Sequence, residues 1–287
     1  MRYHKVYLSI GSNIGNKKIN IIKSIIELSK LNDTIIRKIS RLYITKPVGY
    51  IEQEDFINCA VEISTKLKPY ELLKSVNMIE EKLKRKRVVH WGPRVIDIDI
   101  IFYDNLSIKR NDLILPHKEQ KKRSFVNIPL HDLGIKNINF YPNKDIIMCI
   151  KKENCLISSC LLGFNTKYNG SNNYSYILKK MVHLFNFIPV CPEQLGGLST
   201  PREICEINGN KVITKSGKNV TNEFKKGAYE CQKILEKSNI TIVILKSKSP
   251  SCSLSKSYDG TFSNTLVEKA GIFGSIVIKA NIENIEL

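Results

Sequence analysis

Residues 94–104, RVIDIDIIFYD, restrict the fold more than any other stretch of this chain. Apolar residues recurring every second position demand an extended strand, because successive side chains point to opposite faces. Ile96, Ile98 and Ile100 share one face and look into a core. Asp97 and Asp99 share the other. Two like charges on one strand face repel unless water or a cation separates them. Paired hard carboxylate oxygens suit Mg²⁺, which is commonly held by one or two carboxylates together with substrate phosphates. The bland alternative is an exposed strand face with two solvated acids, and D-x-D taken alone favours it. The surroundings tip the balance. KRKR (residues 84–87), Trp91 and Arg94 precede the strand, and LPHKEQKKRSF beyond it supplies His117, Arg123 and Phe125. Two acids, several arginines, a histidine and aromatic rings make a constellation for a nucleotide and a metal.

The charge pattern supports this. The chain has 287 residues, enough for two domains, and a formal net charge of +18. Such a charge invites a nucleic-acid reading. Lys outnumbers Arg 36 to 9, however, and Ile and Asn are abundant, as in AT-biased coding. A surface of this kind attracts polyanions weakly and without a specific site. The scarce arginines carry more information: Arg85, Arg87, Arg94, Arg110 and Arg123 crowd into one span. Arginine is preferred over lysine where planar, bidentate phosphate contacts are needed. No apolar run is long enough to span a bilayer, and MRYHKVYLSIGSN lacks a signal-peptide pattern, so a cytoplasmic protein without a membrane partner is expected. Eight Cys in that compartment read as free thiols or metal ligands rather than a disulfide framework.

The pattern of elements predicts a two-domain α/β protein. KVYLSI is a strand, residues 18–31 a helix, TIIRKISRLYIT and DFINCAVEIST strands, PYELLKSVNMIEEKLKR a helix opened by Pro69, and RVIDIDIIFYD a strand. The order β-α-β-β-α-β is that of a ferredoxin-like α+β sandwich, assigned to residues 1–140. The polar, turn-rich KNINFYPNKD (136–145) marks the boundary. Strands then alternate with helices. CLISSCLLG is strand-like, a helix lies near 174–185, and the strand FIPV follows. Next come the helix VTNEFKKGAYECQKILEKS, the strand TIVILK and a terminal helix-and-strand pattern, LVEKAGIFGSIVI. This predicts a three-layer α/β domain with a parallel sheet over residues 150–287.

Several blocks of the first half carry a resemblance: SIGSNIGN, YITKPVGY with DFINCAV, KRKR with WGPRVIDIDI, and LPHKEQKKRSFVNIPL, in that order. Residues 3–134 closely resemble the 6-hydroxymethyl-7,8-dihydropterin pyrophosphokinase family of folate biosynthesis. The resemblance implies transfer of diphosphate from ATP to the hydroxymethyl group of the pterin, with release of AMP. It implies that Asp97 and Asp99 bind two Mg²⁺ bridging the triphosphate. Arg85, Arg87, Arg94 and Arg123, with His117, would neutralise phosphate charge. Phe56 and Phe125 would sandwich the pterin ring, and Asn58 with the backbone of Thr45, Pro47 and Val48 would read its polar edge. Glu80 and Trp91 would line the substrate sites.

In the second half Cys160, Cys191 and Cys252 each follow a predicted strand end, where α/β sheets build sites. No pair has C-x-x-C spacing, which argues against a zinc ribbon. Spacing alone favours ordinary buried thiols over cluster ligands. The motifs CLLG…KYNG, CPEQLGGLSTPREICEI, LKSKSPSC and YDGTF, however, resemble in order a bacterial family that includes a 2-thiouracil desulfurase, over residues 156–280. That resemblance implies a [4Fe–4S] cluster held by Cys160, Cys191 and Cys252, whose remaining iron takes the sulfur of a thiolated substrate. It implies Glu193 as proton-transfer group and Ser249, ahead of Ser251, as the hydroxyl that polarises the substrate. The chain departs from that family at Ser253, where glycine is usual.

Three readings follow. The first is a bifunctional fusion acting on small molecules: ATP, the pterin and a thiolated nucleobase such as 2-thiouracil. The second keeps the kinase and makes the second half a non-catalytic accessory. The third, a basic RNA-binding protein on a ferredoxin-like sheet, ranks last, because Asp97 and Asp99 would repel phosphate without metal.

Overall fold

The computed structural model describes residues 2–85, 92–119, 122–136 and 145–287. Two compact units divide the chain, Met1–Lys151 and Lys152–Leu287. The first runs through β1 (His4–Ser12), α1 (Lys17–Ser29), β2 (Thr34–Ile39), β3 (Tyr43–Thr45), β4 (Phe56–Thr65), α2 (Pro69–Lys82), β5 (Asp97–Tyr103), the short β6 (Ile108–Lys109) and β7 (Ile114–Leu115), α3 (Ser124–Asp132) and β8 (Ile146–Cys149).

The main sheet of this unit has the order β5-β1-β4-β3-β8, with β2 also paired to β4. Every pairing is antiparallel. Val6, Leu8, Ile10, Cys59, Val61, Ile63, Ile98 and Ile100 are buried. α1 forms because Ile21, Ile22, Ile25 and Leu28 recur on one face, each fully buried, and because Asn16 caps its start by accepting the Ile19 N–H. Each such side chain contributes about 2 kcal/mol of burial. At the start of α2 the Glu71 carboxylate accepts the Lys68 N–H at 2.7 Å. α3 covers part of the sheet, where Val126 and Leu130 pack with Ala60 and Ile101.

The stretch 34–45, which alternates like one strand, is divided into β2 and β3. Ser40 turns the chain between them: its hydroxyl donates to the Arg41 carbonyl at 2.8 Å and accepts the Ala60 N–H at 2.9 Å. β8 follows the polar stretch 136–145 and pairs with β3, so it belongs to the first unit's sheet.

The second unit holds β9 (Glu153–Ser158), a 3₁₀ turn (Ser159–Leu162), α4 (Tyr176–Lys180), β10 (Phe185–Val190), α5 (Pro192–Leu195), β11 (Cys205–Asn208), β12 (Lys211–Thr214), α6 (Thr221–Lys237), β13 (Ile240–Leu245), β14 (Lys256–Tyr258), β15 (Leu266–Glu268), α7 (Ile272–Lys279) and β16 (Glu283–Glu286). Its main sheet, β10-β9-β13-β16, is parallel throughout. α6 buries Phe224, Gly227, Ala228, Cys231 and Leu235, a helical stripe, and Ala228, Cys231 and Leu235 join Leu156, Val243, Phe273 and Val277 in the core.

Two elements differ from the sequence pattern. The helix expected near 174–185 is confined to α4, because Phe185 already pairs with Glu153 in β10. In LVEKAGIFGSIVI the β-branched IFGSIVIK is the helix. It lies so close to the 249–253 loop that a Cβ on Gly274 would stand 1.9 Å from the Ser253 carbonyl oxygen. Tertiary packing overrides the weak strand preference of Ile and Val.

Candidate functional site

Strand register assembles the first site. Gly11 of β1 stands opposite Asn58 of β4 on one side and Asp97 of β5 on the other. Ser9 stands between Ala60 and Asp99, and Thr45 of β3 opposite Phe56. These rows form the wall of a small cavity of about 60 Å³, completed by Lys46, Val48, Arg94, Arg123 and Phe125. The two carboxylates of one strand, two arginines and two aromatic rings therefore share one pocket.

The carboxylates have different surroundings. Asp97 is paired twice: Arg94 Nη1 reaches Oδ2 and Arg85 Nη2 reaches Oδ1, both at 2.7 Å. The Asp99 carboxylate has no hydrogen-bond or ion-pair partner among the described residues. Burial, with the Asp97 charge added, pushes it up to about 7 against the pull of Arg123 and Arg94. A half-buried carboxylate beside a second one is a site that favours a cation, so the donor set fits Mg²⁺. Asn58 donates to the Thr45 hydroxyl at 2.7 Å, which orients its amide at the cavity wall. The Arg123 guanidinium lies over the Phe125 ring, 5.6 Å from the centroid.

Other expected residues sit elsewhere. Glu80 is buried behind β5, where it accepts the Ile98 N–H at 2.7 Å and pairs with Arg85. Arg85 thus bridges Glu80 and Asp97. His117 and Pro47 are not on the cavity wall; burial and the Arg123 charge hold the His117 imidazole below its usual range. Arg87 and Trp91 lie outside the described residues. Asn13, from the GSNIG turn, was not singled out from sequence. It is buried, accepts the Arg94 N–H at 2.7 Å, and donates to Gln53 and the Glu54 carbonyl. It thereby ties the segment before β5 to the loop before β4.

The second site lies at the C-terminal ends of three adjacent parallel strands. Cys160 follows β9, Cys191 follows β10, and Cys252 lies in the loop after β13. This is where open parallel sheets place ligands. All three thiols line one cavity of about 330 Å³, together with Glu193, Arg202, Ser249, Lys246 and Lys248. Burial raises each thiol, Cys252 most strongly, and the Glu193 carboxylate raises them further. Ser249 faces the cavity and accepts the N–H groups of Ser251 (3.2 Å) and Cys252 (3.1 Å), which leaves its O–H free to donate. Ser251 is buried and off the cavity wall, with its hydroxyl unpartnered.

Glu193 is held by Arg202, whose Nε and Nη2 both lie 2.7 Å from its Oε2. Arg202 also donates to the Thr166 carbonyl at 3.0 Å, the same oxygen that Cys191 Sγ approaches at 3.9 Å. Among the described residues no three His, Cys, Asp or Glu side chains close on a single metal ion. A cuboidal cluster takes one thiolate on each iron, so its ligands stand further apart than those of one ion. Three soft donors around a single cavity fit that group.

Comparison with known proteins places both halves. The family model for 7,8-dihydro-6-hydroxymethylpterin-pyrophosphokinase matches residues 7–135, and that for 2-thiouracil desulfurase residues 155–286. A 2-amino-4-hydroxy-6-hydroxymethyldihydropteridine pyrophosphokinase of Bacillus subtilis is 40% identical over 127 residues, 44% of this chain and 76% of the relative. The chain belongs to the hydroxymethyldihydropterin pyrophosphokinase family, with a 2-thiouracil desulfurase domain fused behind it. The pyrophosphokinase half is also 44% identical over 135 residues to "Bifunctional protein FolKE" of Lactococcus lactis, covering 47% of this chain. The chain spans only 39% of that relative's length. Over the desulfurase half, a solved [4Fe–4S]-dependent thiouracil desulfidase, TudS, is 31% identical, covering 47% of this chain and 91% of its own, with a TM-score of 0.44.

The desulfurase unit also holds a residue that sequence reading missed. Glu206 is buried and its Oε2 accepts the N–H groups of Gly260 (3.0 Å) and Phe262 (2.9 Å). It fixes the YDGTF loop. Gly260 is required there: its φ is +91°, and a Cβ would lie 2.6 Å from that of Asn208.

Proposed function

We propose that the chain is a bifunctional enzyme. Its first unit, a ferredoxin-like α+β sandwich, transfers diphosphate from ATP to 6-hydroxymethyl-7,8-dihydropterin and releases AMP. Its second, a three-layer α/β unit, removes sulfur from a thiolated nucleobase such as 2-thiouracil. The observation that carries the first reading is the shared cavity of Asp97, Asp99, Arg94, Arg123, Phe56, Phe125 and Asn58.

Asp97 and Asp99 would hold two Mg²⁺, which supply positive charge to the triphosphate. Arg94 is paired to Asp97 in the structure; exchanging that carboxylate for a phosphate oxygen keeps its charge satisfied. Arg123 adds a second cation at the same wall. Such transfers depend mainly on positioning and charge neutralisation, so no strong general base is required. Phe56 and Phe125 offer flat faces to the pterin ring, and Asn58 its amide to the ring's polar edge. Asp97→Ala and Asp99→Ala should each abolish Mg²⁺-dependent AMP formation; full activity in either would remove the metal assignment.

In the second unit Cys160, Cys191 and Cys252 would hold a [4Fe–4S] cluster, which supplies a thiophilic iron for the substrate's sulfur. Glu193, held by Arg202, accepts the proton of a water attacking the thiocarbonyl carbon. Ser249 donates its free O–H to the substrate. Anaerobic reconstitution should give a broad visible absorption, and Cys252→Ser should lose cluster iron. A colourless wild-type protein that still makes AMP would leave only the first activity.

A further inference from the structure

Four cysteines, not three, line the second unit's cavity. The fourth is Cys205, the first residue of β11, only 7% exposed. It is tied to the Cys191 turn by a short chain of contacts. Arg202, three residues earlier, bonds Glu193 and shares the Thr166 carbonyl with Cys191. The neighbours of Cys205 on the other side are apolar: Ile207, Val212, Val220 and Phe224 form a buried cluster with it. The other two cysteines of this unit, Cys155 and Cys231, are fully buried and are not on the cavity wall.

We propose that Cys205 is a fourth iron ligand, occupying the iron that Cys160, Cys191 and Cys252 leave open until a thio-substrate displaces it. This rests on the iron–sulfur reading above. The exchange is redox-neutral. An iron–sulfur bond forms as the Cys205 S–H bond breaks and its proton passes to water. When the substrate's sulfur takes the iron, the thiolate recovers a proton. The present partner of Cys205 is cheap to surrender, since a thiol is a weak donor and its contact to the Glu203 carbonyl is 3.5 Å long. Coordination to iron deprotonates a thiol outright. The capped state protects an otherwise exposed iron from water and oxidant.

The test uses the full chain, reconstituted anaerobically with ⁵⁷Fe and sulfide, without substrate. Mössbauer spectra should show four irons in all-sulfur surroundings; one distinct iron with an oxygen or nitrogen ligand would overturn the proposal without any variant. Ferricyanide treatment followed by EPR gives a second measure. Cys205→Ala and Cys205→Ser, loaded to the same iron content, should yield the three-iron signal roughly tenfold faster than wild type. Equal rates would show Cys205 to be a packing residue. A wild-type chain that takes up no cluster would fail at the earlier step, the iron–sulfur reading itself, and the proposal with it.

Discussion

Gly11 shows how one missing side chain shapes the pyrophosphokinase site. A Cβ there would stand 2.4 Å from Asn58 Oδ1, so any larger residue pushes aside the amide that Thr45 orients. Gly11→Ala should raise the KM for the pterin by roughly tenfold, the worth of one misplaced hydrogen-bonding group. The KM for ATP should change much less, and steady-state kinetics with each substrate varied separates the two. Asp132 gives a prediction in pH. Burial alone would raise its carboxyl, but hydrogen bonds from the Arg41 side chain and N–H, with the Arg41 charge, hold it below the usual carboxylate range. A lowered folded-state pKa means the folded protein binds fewer protons on the acid side. The contribution is then fully present above the unfolded pKa and lost as pH falls through the folded one. Asp132→Asn should cost about 1 kcal/mol at neutral pH, the Arg41 side being exposed, and should flatten the acid loss of stability below about pH 4. Urea unfolding across a pH series measures both.

The helices of the desulfurase unit hold its thiol-bearing loops through glycine. A Cβ on Gly227 of α6 would lie 1.7 Å from the Pro192 carbonyl oxygen, and one on Gly196 would lie 2.0 Å from that of Glu223. The turn carrying Cys191 and Glu193 therefore sits directly on helix backbone. α7 repeats the arrangement under the Cys252 loop, where Gly271 meets Ser251 and Gly274 meets Ser253. The obstructing atoms are backbone, so they cannot swing aside. Gly227→Ala should destabilise the unit by more than about 2 kcal/mol, as overpacking does, and should lower the iron retained per chain. Thermal unfolding and iron analysis read the two effects. If the variant keeps wild-type stability, the close packing of α6 on this turn does not constrain it.

Each unit carries its own sheet and its own buried core, as independent folding requires. A chain ending at Lys151 should therefore keep pterin-dependent AMP formation within about twofold of the full protein. A chain ending before Ile146 should do worse, because it strips β8 from β3, the strand that carries Thr45 to the cavity. A folded but inactive 1–151 fragment would instead mean that the pyrophosphokinase needs the second unit. Among the described residues no helix is long and apolar enough to cross a membrane.

Much of both sites was legible in the chain itself. Period-two alternation alone puts Asp97 and Asp99 on one face, since that follows from the geometry of any strand. The positions of Cys160, Cys191 and Cys252 after apolar runs likewise forecast loops at strand ends, and the quoted motifs identified both families. Contacts between distant segments were not legible. Nothing local announces that Gly11 must lack a side chain, that Asn13 ties two loops together, or that Glu206 holds the YDGTF loop. Register decides which residues of neighbouring strands meet, and it depends on pairings across the whole sheet. Cys205 illustrates the same limit: beside Ile204 and Ile207 it reads as one more apolar position, and only the folded chain brings it to the wall of the cavity it shares with the other three. Local periodicity determines which face a residue is on; long-range packing determines what that face meets.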